Sequence, residues 1–435
     1  MDGSIRRSRR RRGSMRPPQA VPLPPAPSSP PREAAVQGRL SKKMCHALGA
    51  TFSTSDVSHV WADLSDNLIH QIIALLRSFH DFLAFISTCR SWRAAAYSFS
   101  SAYAFTFPPL HLKPDFSYTR KRSKLGVFSL LRDCKWLLGD PAKRNLSLRC
   151  SVPRNSPNCL LYLGCSYGYL IFSYQEHCLL ANVYAGTKVK PPKIKSSSNP
   201  EIYFGFLVAP LSSPSSRLIL FSKTSMFQWR IGANSWSEHP LRPGAAGIMQ
   251  IVIFKGQVFA IDFSERLHII QLEPQFSMQT VPDLCVKDLD VGLHDKPWLV
   301  ACGDTLLMVV LSVTRDQFDR ILSGTFQVFR LDFSVKPAKW VKREKLETCA
   351  LFVSKDRRTP TFSCICPERW GGKSNNIYIS SESEDSNQPW APVELGQMVP
   401  DSIVPYSFSS GAPSDYCSQL RSLWVFPNLV YGAGQ

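Results

Sequence analysis

The fold is decided by Tyr167–Pro192, whose sequence is YGYLIFSYQEHCLLANVYAGTKVKPP. Two short apolar runs, YLIFSY and HCLLANV, are separated by the polar pair Gln175-Glu176. Short runs rich in aromatic and aliphatic residues, bounded by polar, Gly or Pro turns, are typical of β-strands. The stretch therefore predicts two adjacent strands, then a turn, and then a third strand that ends before Pro191.

Three later stretches repeat this organisation, namely Ser216–Leu241, Lys255–Pro282 and Gly303–Leu346. Corresponding positions lie 50, 40 and 48 residues apart, at Gly168, Leu218, Val258 and Leu306. Repeats of about 40–50 residues that contain only strands indicate a β-propeller. A large sandwich or several small barrels is the alternative. The number of blades is not predicted, because the segments around 105–160 and 385–430 are irregular.

The repeat contains a motif that is typical of enzymes. Gly164-Cys165-Ser166-Tyr167-Gly168 has the G-x-S-x-G pattern of the nucleophile elbow of serine hydrolases, which requires a helix after the serine. Here the strand-like run YLIFSY follows instead. His177 and His239 are candidate bases, but no acidic residue is placed to orient either ring. We therefore predict that Ser166 is not catalytic, that both glycines serve a turn, and that the chain is not an enzyme.

The first 55 residues differ from the rest of the chain. Residues 1–43 carry eleven Lys and Arg against two acidic residues, a net charge of +9 out of +18 for all 435 residues. The Pro-rich run VPLPPAPSSPP follows the Arg-rich start. Such a segment cannot bury enough apolar surface to offset its ordering entropy. We predict a disordered Arg/Pro-rich tail over residues 1–55, able to attract an acidic partner.

Cysteines and apolar runs restrict the class of protein. The 13 cysteines are scattered, and the closest pair, Cys364-x-Cys366, is too tight for a zinc site. We expect reduced thiols, no metal and no cofactor, in a protein of the nucleus or the cytoplasm. No apolar run reaches the length of about 18–20 residues that would cross a membrane.

Between the tail and the repeats, residues 56–101 have helical periodicity. Leu64, Leu68 and Ile72 recur at four-residue steps, which places them on one face of a helix. Ser65 or Asp66 is the expected N-cap of this helix. Two further short helices are predicted, one from about Asp81 and one that carries Cys89, Trp92 and Ala96. So small a unit cannot bury a sufficient core alone, so we expect it to need a partner.

The helical segment resembles an F-box. Trp61–Ile69, then Asp81-Phe82-Leu83, then Cys89–Ala95 follow the order of the F-box pattern, except that Ser65 stands where the family has proline. The resemblance implies docking on an SKP-type adaptor. It assigns the adaptor-binding surface to seven residues: Leu64, Ser65, Leu68, Ile72, Leu83, Cys89 and Trp92. A helical cap packed on the following domain is the alternative.

The remainder resembles the plant F-box family that carries a C-terminal KIB-type β-propeller. The matching landmarks occur in the family's order, at Gly164–Leu170, Ile253–Asp262, Phe326–Asp332 and Asn376–Ile379. The resemblance implies a small all-α F-box module over residues 56–101, followed by an all-β propeller over residues 102–432. Within the propeller, Lys255-Gly256 is expected to form a tight hairpin with glycine at positive φ.

The resemblance also implies a function. The chain is expected to be the substrate-recognition subunit of an SCF-type ubiquitin ligase, in which the F-box binds the adaptor and, through it, a cullin. The propeller would hold a protein substrate, and the chain would be a monomer within the complex. The alternative is a non-ligase propeller scaffold that contacts nucleic acid or the nuclear-import machinery through its basic tail.

Overall fold

A computed structural model describes residues 61, 64–98, 107–115, 135–150, 160–174, 176–195, 201–242, 246–286, 289–315, 321–380, 390–400 and 422–426. The predicted tail, residues 1–55, lies outside the described residues. The described part contains a helical segment and a six-bladed β-propeller. No helix in this part of the chain is both long and apolar enough to cross a membrane.

Three short helices precede the strands: α1 (Asp66–Leu75), α2 (Phe79–Ser87) and α3 (Arg90–Ser98). Ser65 occupies the N-cap of α1 in an extended conformation, although its hydroxyl makes no capping bond. Ser78 caps α2, because its Oγ accepts a hydrogen bond from the Asp81 backbone N–H at 3.1 Å. The second helix thus begins two residues before the predicted Asp81.

Blades II to V are each a four-stranded antiparallel sheet whose strands follow in chain order. Blade II contains β4 (Leu161–Ser166), β5 (Tyr169–Tyr174), β6 (His177–Asn182) and β7 (Lys188–Val189). Blade III contains β8 (Ile202–Leu207), β9 (Arg217–Ser222), β10 (Ser225–Arg230) and β11 (Ser237–Pro240). Blade IV contains β12 (Ile248–Phe254), β13 (Gln257–Asp262), β14 (Arg266–Gln271) and β15 (Ser277–Cys285). Blade V contains β16 (Trp298–Cys302), β17 (Thr305–Arg315), β18 (Ile321–Asp332) and β19 (Lys339–Arg343).

Blades I and VI depart from this order. Blade VI contains β20 (Cys349–Val353), β21 (Phe362–Ile365), β22 (Asn376–Ser380) and β23 (Trp390–Glu394), in the spatial order β21-β20-β22-β23. Blade I joins both ends of the ring: β1 (Leu110–Asp115), β2 (Lys135–Asp140) and β3 (Lys143–Cys150) are completed by β24 (Leu423–Val425), which pairs with β1. The last strand therefore closes the ring.

The predicted repeat is confirmed by the strand pairing. Its four positions lie at the start of the second strand in blades II to V, Gly168 one residue before β5 and the other three at the second residue of β9, β13 and β17. Three innermost strands also share a register shift near their start, between Tyr162 and Gly164, Ile202 and Phe204, and Ile248 and Gln250. The Lys255-Gly256 hairpin is confirmed, with φ of 49° and 74°.

The hydrophobic core is divided among the contacts between neighbouring blades. Six clusters of buried side chains are present in the described residues, one at each junction from blade I–II around to blade VI–I. Each fully buried aliphatic or aromatic side chain stabilises the fold by roughly 1.5–3 kcal/mol. The ring is therefore held by apolar packing between neighbouring blades, and the helices join the cluster at the blade I–II junction.

Candidate functional site

Helix α1 has two apolar faces. Ile69 and Ile73, four residues apart, are buried against the blade I–II cluster. Leu68 and Leu75 are 48% and 75% exposed. Asp66 in the first turn is favourable to the helix dipole. One face of the helix is thus used inside the chain, and the other leaves apolar surface in contact with solvent.

Helix α3 is fixed by contacts of Trp92. The Trp92 ring stacks on Phe85 with centroids 4.5 Å apart, and its indole N–H donates to the Trp61 carbonyl at 2.8 Å. Arg93 Nε donates to the Ile86 carbonyl at 3.0 Å, which satisfies the C-terminal end of α2. These contacts hold Trp92 half-buried beside the exposed face of α1 and α2.

Just before α3, Cys89 acts as a cap. Its Sγ accepts a hydrogen bond from the Trp92 backbone N–H at 3.4 Å and lies 3.1 Å from Ser91 Oγ. The hydrogen bond with Ser91, followed by the bond from the Trp92 backbone, lowers the pKa of the Cys89 thiol. The side chain of Cys89 therefore fixes the start of α3 in addition to any contact with a partner.

All seven predicted adaptor-binding residues retain solvent-exposed surface. Ser65 and Leu68 are exposed, and five others are half-buried: Leu64, Ile72, Leu83, Cys89 and Trp92. Four of the half-buried residues pack on the outer side of the same cluster, namely Leu64, Ile72, Leu83 and Trp92. The helices therefore leave a partly exposed apolar surface, which we call the outer helical face and define by these seven residues.

The opposite side of the helices is clamped to the propeller. The rings of Phe82 and Phe107 have centroids 5.6 Å apart, and Phe79 meets Tyr184 of blade II edge-on. The carboxylate of Asp140 lies at the N-terminus of α2 and accepts the His80 backbone N–H at 3.4 Å. Asp81 forms an ion pair with Lys143. The helical cap expected as the alternative is thus present, and it coexists with the outer helical face.

Inside the ring, a charged loop fills part of the central channel. This channel loop, Ser354–Thr361, connects β20 to β21, and its Asp356, Arg357 and Arg358 side chains are all buried. The Arg357 guanidinium lies 3.4 Å from the Trp298 ring and pairs with Asp295 at 3.0 Å. Buried charges need such partners, so the loop links the innermost parts of several blades.

Arg358 extends this linkage to blade II. Its guanidinium pairs with Asp356 at 2.6 Å and donates to the Tyr162 carbonyl at 2.5 Å. Below the loop is a cavity of about 190 Å³ with largely apolar walls that include Phe204, Phe206 and Ile251. A larger groove of about 760 Å³ lies between blades III and IV, and its lining includes amide, charged and aliphatic side chains.

Ser166 lies at the end of β4 and is followed directly by a strand. Tyr167 and Gly168 have φ of 50° and 76°, which makes the tight hairpin into β5. His177 stacks on Tyr174, and His239 lies beside Phe276. The predicted strand after Ser166 is confirmed, so the helix that a nucleophile elbow requires does not follow this serine.

Gly164 does not serve this turn, contrary to the prediction. It lies within β4, where a Cβ atom would stand 2.2 Å from the Gly205 carbonyl oxygen and 3.2 Å from that of Arg358. The innermost strands of blades II and III approach too closely here for any side chain. The first glycine of the motif therefore allows blade packing, and the second allows the turn.

A hydrogen-bonded chain in blade IV has the composition of a catalytic triad. His268 Nε2 lies 2.9 Å from Asp262 Oδ2, and its Nδ1 lies 3.1 Å from Thr280 Oγ1. Asp262 also accepts the backbone N–H and Nε–H of Arg266 at 2.9 and 3.0 Å. Because these hydrogen bonds connect three consecutive strands, their physical effect is to hold β13, β14 and β15 together.

Across the described ranges, no group of three or more His, Cys, Asp or Glu side chains is arranged to hold a metal ion.

Comparison with known proteins then identifies the propeller. Residues 138–407 match the model of the KIB1-4 beta-propeller family. The chain belongs to the KIB1-4 beta-propeller family.

Two plant relatives are named as F-box proteins. A putative F-box protein of Arabidopsis thaliana, At3g25750, is 24% identical over 342 residues, which cover 74% of this chain and 87% of the relative. F-box protein At2g26160 from the same plant is 28% identical over 132 residues, or 30% of this chain and 38% of the relative. The resemblance to plant F-box proteins with a KIB-type propeller is therefore confirmed. Among solved structures, the N-terminal domain of Nup159 is 9% identical with a TM-score of 0.30, over 55% of this chain and 68% of that one.

Two features of this KIB1-4 protein were not predicted from the sequence: the burial of Ile69 and Ile73 and the burial of the channel loop. Ile69 and Ile73 carry a signal, since their spacing of four residues matches that of Leu68 and Ile72. The channel loop carries a weaker one, the charged triplet Asp356-Arg357-Arg358 next to the apolar run of β20. A charged triplet normally indicates a solvated loop, so burial of this one could not be predicted.

Proposed function

We propose that this KIB1-4 propeller protein is the substrate receptor of an SCF-type ubiquitin ligase. In this proposal, residues 56–101 are an F-box that binds an SKP-type adaptor and, through it, a cullin, while the propeller binds a protein substrate. The support comes from the outer helical face, a partly exposed apolar surface on a three-helix unit joined to a propeller whose relatives are named F-box proteins.

The outer helical face has the composition of a docking surface. A half-buried tryptophan, Trp92, is surrounded by aliphatic residues such as Leu64, Leu68 and Ile72. Tryptophan dominates many interfaces, because a large ring buries much apolar area at little cost in side-chain entropy. Apolar surface that stays exposed in a helical unit is typical of a binding site.

In this proposal the chain acts by binding and has no catalytic step. Holding a substrate beside the ubiquitin-loaded enzyme raises the effective concentration of the acceptor lysines, which accelerates transfer without chemistry in the receptor. The geometry around Ser166, where a strand follows the serine, agrees with this view. We expect no labelling of Ser166 by a fluorophosphonate probe, and labelling would favour an esterase instead.

The decisive experiment is co-purification with an SKP-type adaptor. We expect the full chain to capture the adaptor and a cullin, and the Trp92→Ala/Leu68→Ala double variant to lose both. Because Trp92 also stacks on Phe85, Leu68→Ala alone is tested in parallel; its side chain is 48% exposed, so the fold should tolerate the change. Substrates should stay bound to both variants.

Leu293→Ala provides the matched control, because Leu293 is a similarly exposed leucine, at 51%, but lies in the propeller. This variant should capture as much adaptor as the wild-type chain. Undiminished capture by both the double variant and Leu68→Ala would contradict the F-box assignment.

We propose a separate role for the basic tail. Its charge of +9 over residues 1–43 suits an acidic partner such as an import receptor or nucleic acid, in the nucleus or the cytoplasm. If nucleic acid is the partner, log K should fall with log[salt] with a slope of about −0.9 per neutralised phosphate. Deletion of residues 1–43 should remove this binding, and retention would exclude the tail as its source.

A further inference from the structure

Two cysteines end matching rows of side chains at the blade V–VI junction. Along β16, alternate residues from Trp298 point toward blade VI and end at Cys302. Along β20, the row toward blade V begins at Cys349 and continues through Leu351. Both cysteines pack against the same cluster of buried residues. Alternation alone thus directs both thiols into one junction.

Hydrogen bonds between the strands place the two thiols at the same level. Thr361 Oγ1 donates to the Leu299 carbonyl at 2.5 Å, and Ser363 Oγ donates to the Ala301 carbonyl at 2.9 Å. The same alignment of β21 with β16 continues to Cys302, the last residue of β16. On its other side, β21 pairs Ile365 with Cys349. The end of β16 and the start of β20 therefore coincide along the junction.

The other cysteines of blade VI are directed elsewhere. Cys364 is buried in the blade VI–I cluster, and its Sγ accepts the Trp370 indole N–H at 3.2 Å. Cys366 is exposed, and its backbone N–H donates to the carbonyl of Thr348, the residue before Cys349. Successive side chains of a strand point to opposite faces. Because Cys366 lies beside Thr348 and not beside Cys349, its side chain points to the other face. Cys302 and Cys349 are thus the pair that shares a face.

The two thiols differ in reactivity. Cys302 and Cys349 are both partly exposed, so a small oxidant can reach them. The interaction with the Cys302 thiol is the main cause that lowers the pKa of Cys349 below the usual value of a thiol. The same interaction, together with burial, raises the pKa of Cys302. Cys349 therefore supplies the thiolate and Cys302 the thiol that follows it.

We propose that Cys302 and Cys349 are a redox modification site, which hydrogen peroxide converts into a reversible disulfide between blades V and VI. The Cys349 thiolate attacks one peroxide oxygen, the O–O bond breaks, and the leaving hydroxide takes a proton to become water. Cys302 then attacks the Cys349 sulfenic acid, an S–S bond forms, and a second water leaves. Both sulfurs are oxidised and the peroxide is reduced.

The test uses the full chain, reduced and then treated with a small excess of hydrogen peroxide at neutral pH. Free thiols are blocked with N-ethylmaleimide, and the digest is searched by mass spectrometry for linked peptides. We expect the peptide pair Cys302–Cys349 as the most abundant cross-link, with loss of two maleimide-reactive thiols and full recovery after dithiothreitol. Its rate of formation should rise with pH as the Cys349 thiol ionises, at lower pH than for an ordinary cysteine.

Three variants sharpen the result. Cys349→Ser should abolish the cross-link, and Cys302→Ser should leave a Cys349 sulfenic acid that dimedone traps. Cys366→Ser removes the exposed neighbour and should leave the cross-link unchanged. The proposal is overturned if Cys366 oxidises while no Cys302–Cys349 peptide forms, or if wild-type Cys349 accumulates as dimedone-trapped sulfenic acid.

Discussion

At the scale of single residues, Gly164 illustrates how blade packing constrains a sequence. A Cβ atom at this position meets backbone atoms of Gly205 and Arg358, which cannot move aside as a side chain would. Gly164→Ala should therefore destabilise the fold by at least about 1–3 kcal/mol, as overpacked cores do. Urea unfolding measures the loss.

Ser166→Ala is the matched control for Gly164→Ala. It changes the same motif, but Ser166 is only half-buried at the end of its strand. We expect its free energy of unfolding to stay within about 0.5 kcal/mol of wild type. Equal stability of the two variants would show that the innermost strands can separate to admit a methyl group.

Asp262 gives the stability of blade IV a defined pH dependence. Burial alone would raise the pKa of Asp262, but the hydrogen bonds from His268 and the Arg266 backbone outweigh burial and lower it. The carboxylate therefore stabilises the fold at pH values above its unfolded pKa of about 3.9, and this contribution is lost as pH falls through the lower folded pKa.

The corresponding measurement compares wild type with Asp262→Asn. The difference in their free energies of unfolding should be constant above about pH 5 and should shrink below about pH 4. Asp304→Asn is the control, because Asp304 is 96% exposed. If the difference in free energy of unfolding stays constant into the acid range, the negative charge of Asp262 does not stabilise blade IV.

Ser65 occupies the position at which the F-box pattern has proline. Its φ of −61° already lies in the range that a proline ring imposes. Ser65→Pro should stabilise the chain by about 0.4–1 kcal/mol by restricting the unfolded state, without weakening adaptor capture. Thermal unfolding and co-purification measure the two effects; a lower melting temperature would mean that the serine N–H or hydroxyl is needed.

At the scale of elements, the three helices have an exposed side and a side packed on the propeller. Phe82 in α2 is buried against Phe79 and Phe107, whereas its neighbour Leu83 is half-exposed. Phe82→Ala should cost about 3–5 kcal/mol and increase hydrogen exchange in the helices. Leu83→Ala should cost much less stability and weaken adaptor capture instead.

These two substitutions act as controls for each other, since they are adjacent in one helix. If Phe82→Ala and Leu83→Ala reduced stability and adaptor capture to the same extent, the division of α2 into two sides would be wrong. The division has a cause in the sequence: α2 carries apolar residues on more than one face, and the propeller uses only one of them.

Element identity was more predictable than element orientation. The short aromatic and aliphatic runs YLIFSY and IVIF, bounded by turns, are enough to predict strands, because this signal is local. The apolar pairs Leu68/Ile72 and Ile69/Ile73 have the same spacing. A helical period therefore cannot tell which pair faces the propeller, and only the tertiary contacts with blades I and II decide it.

At the scale of the whole molecule, the ring depends on its last strand. Trp424 is fully buried, and its indole N–H donates to the Val353 carbonyl at 3.1 Å. Leu423 and Val425 lie in the same cluster as Ile69 and Phe82 of the helices. Truncation after residue 421 should therefore open the ring and also release the helices.

Hydrogen exchange measures this coupling across the chain. In the truncated chain, protection in α1 to α3 should fall toward that of an unpacked helix, as should protection at the blade I–II and VI–I junctions. A chain that ends after Phe426 keeps β24 and should behave as wild type. Normal protection of the helices in the shorter chain would show that they pack without ring closure.

Ring closure also explains why the blade number could not be predicted. Blade I is assembled from both ends of the chain, so no single stretch of sequence contains its four strands. In blade VI, β20 precedes the innermost strand β21 and runs parallel to β22, so its sequence does not match the repeat of blades II to V. Both features are non-local, whereas the repeat itself is local.

Because β24 closes the ring, the helices are synthesised well before their packing can be completed. Phe79 of α2 is made 346 residues before Val425, the strand residue that shares its cluster. At about 5–20 residues per second, translation leaves the helices without that part of their packing partner for roughly 17–70 s. During this interval their apolar side chains are available to chaperones on the ribosome.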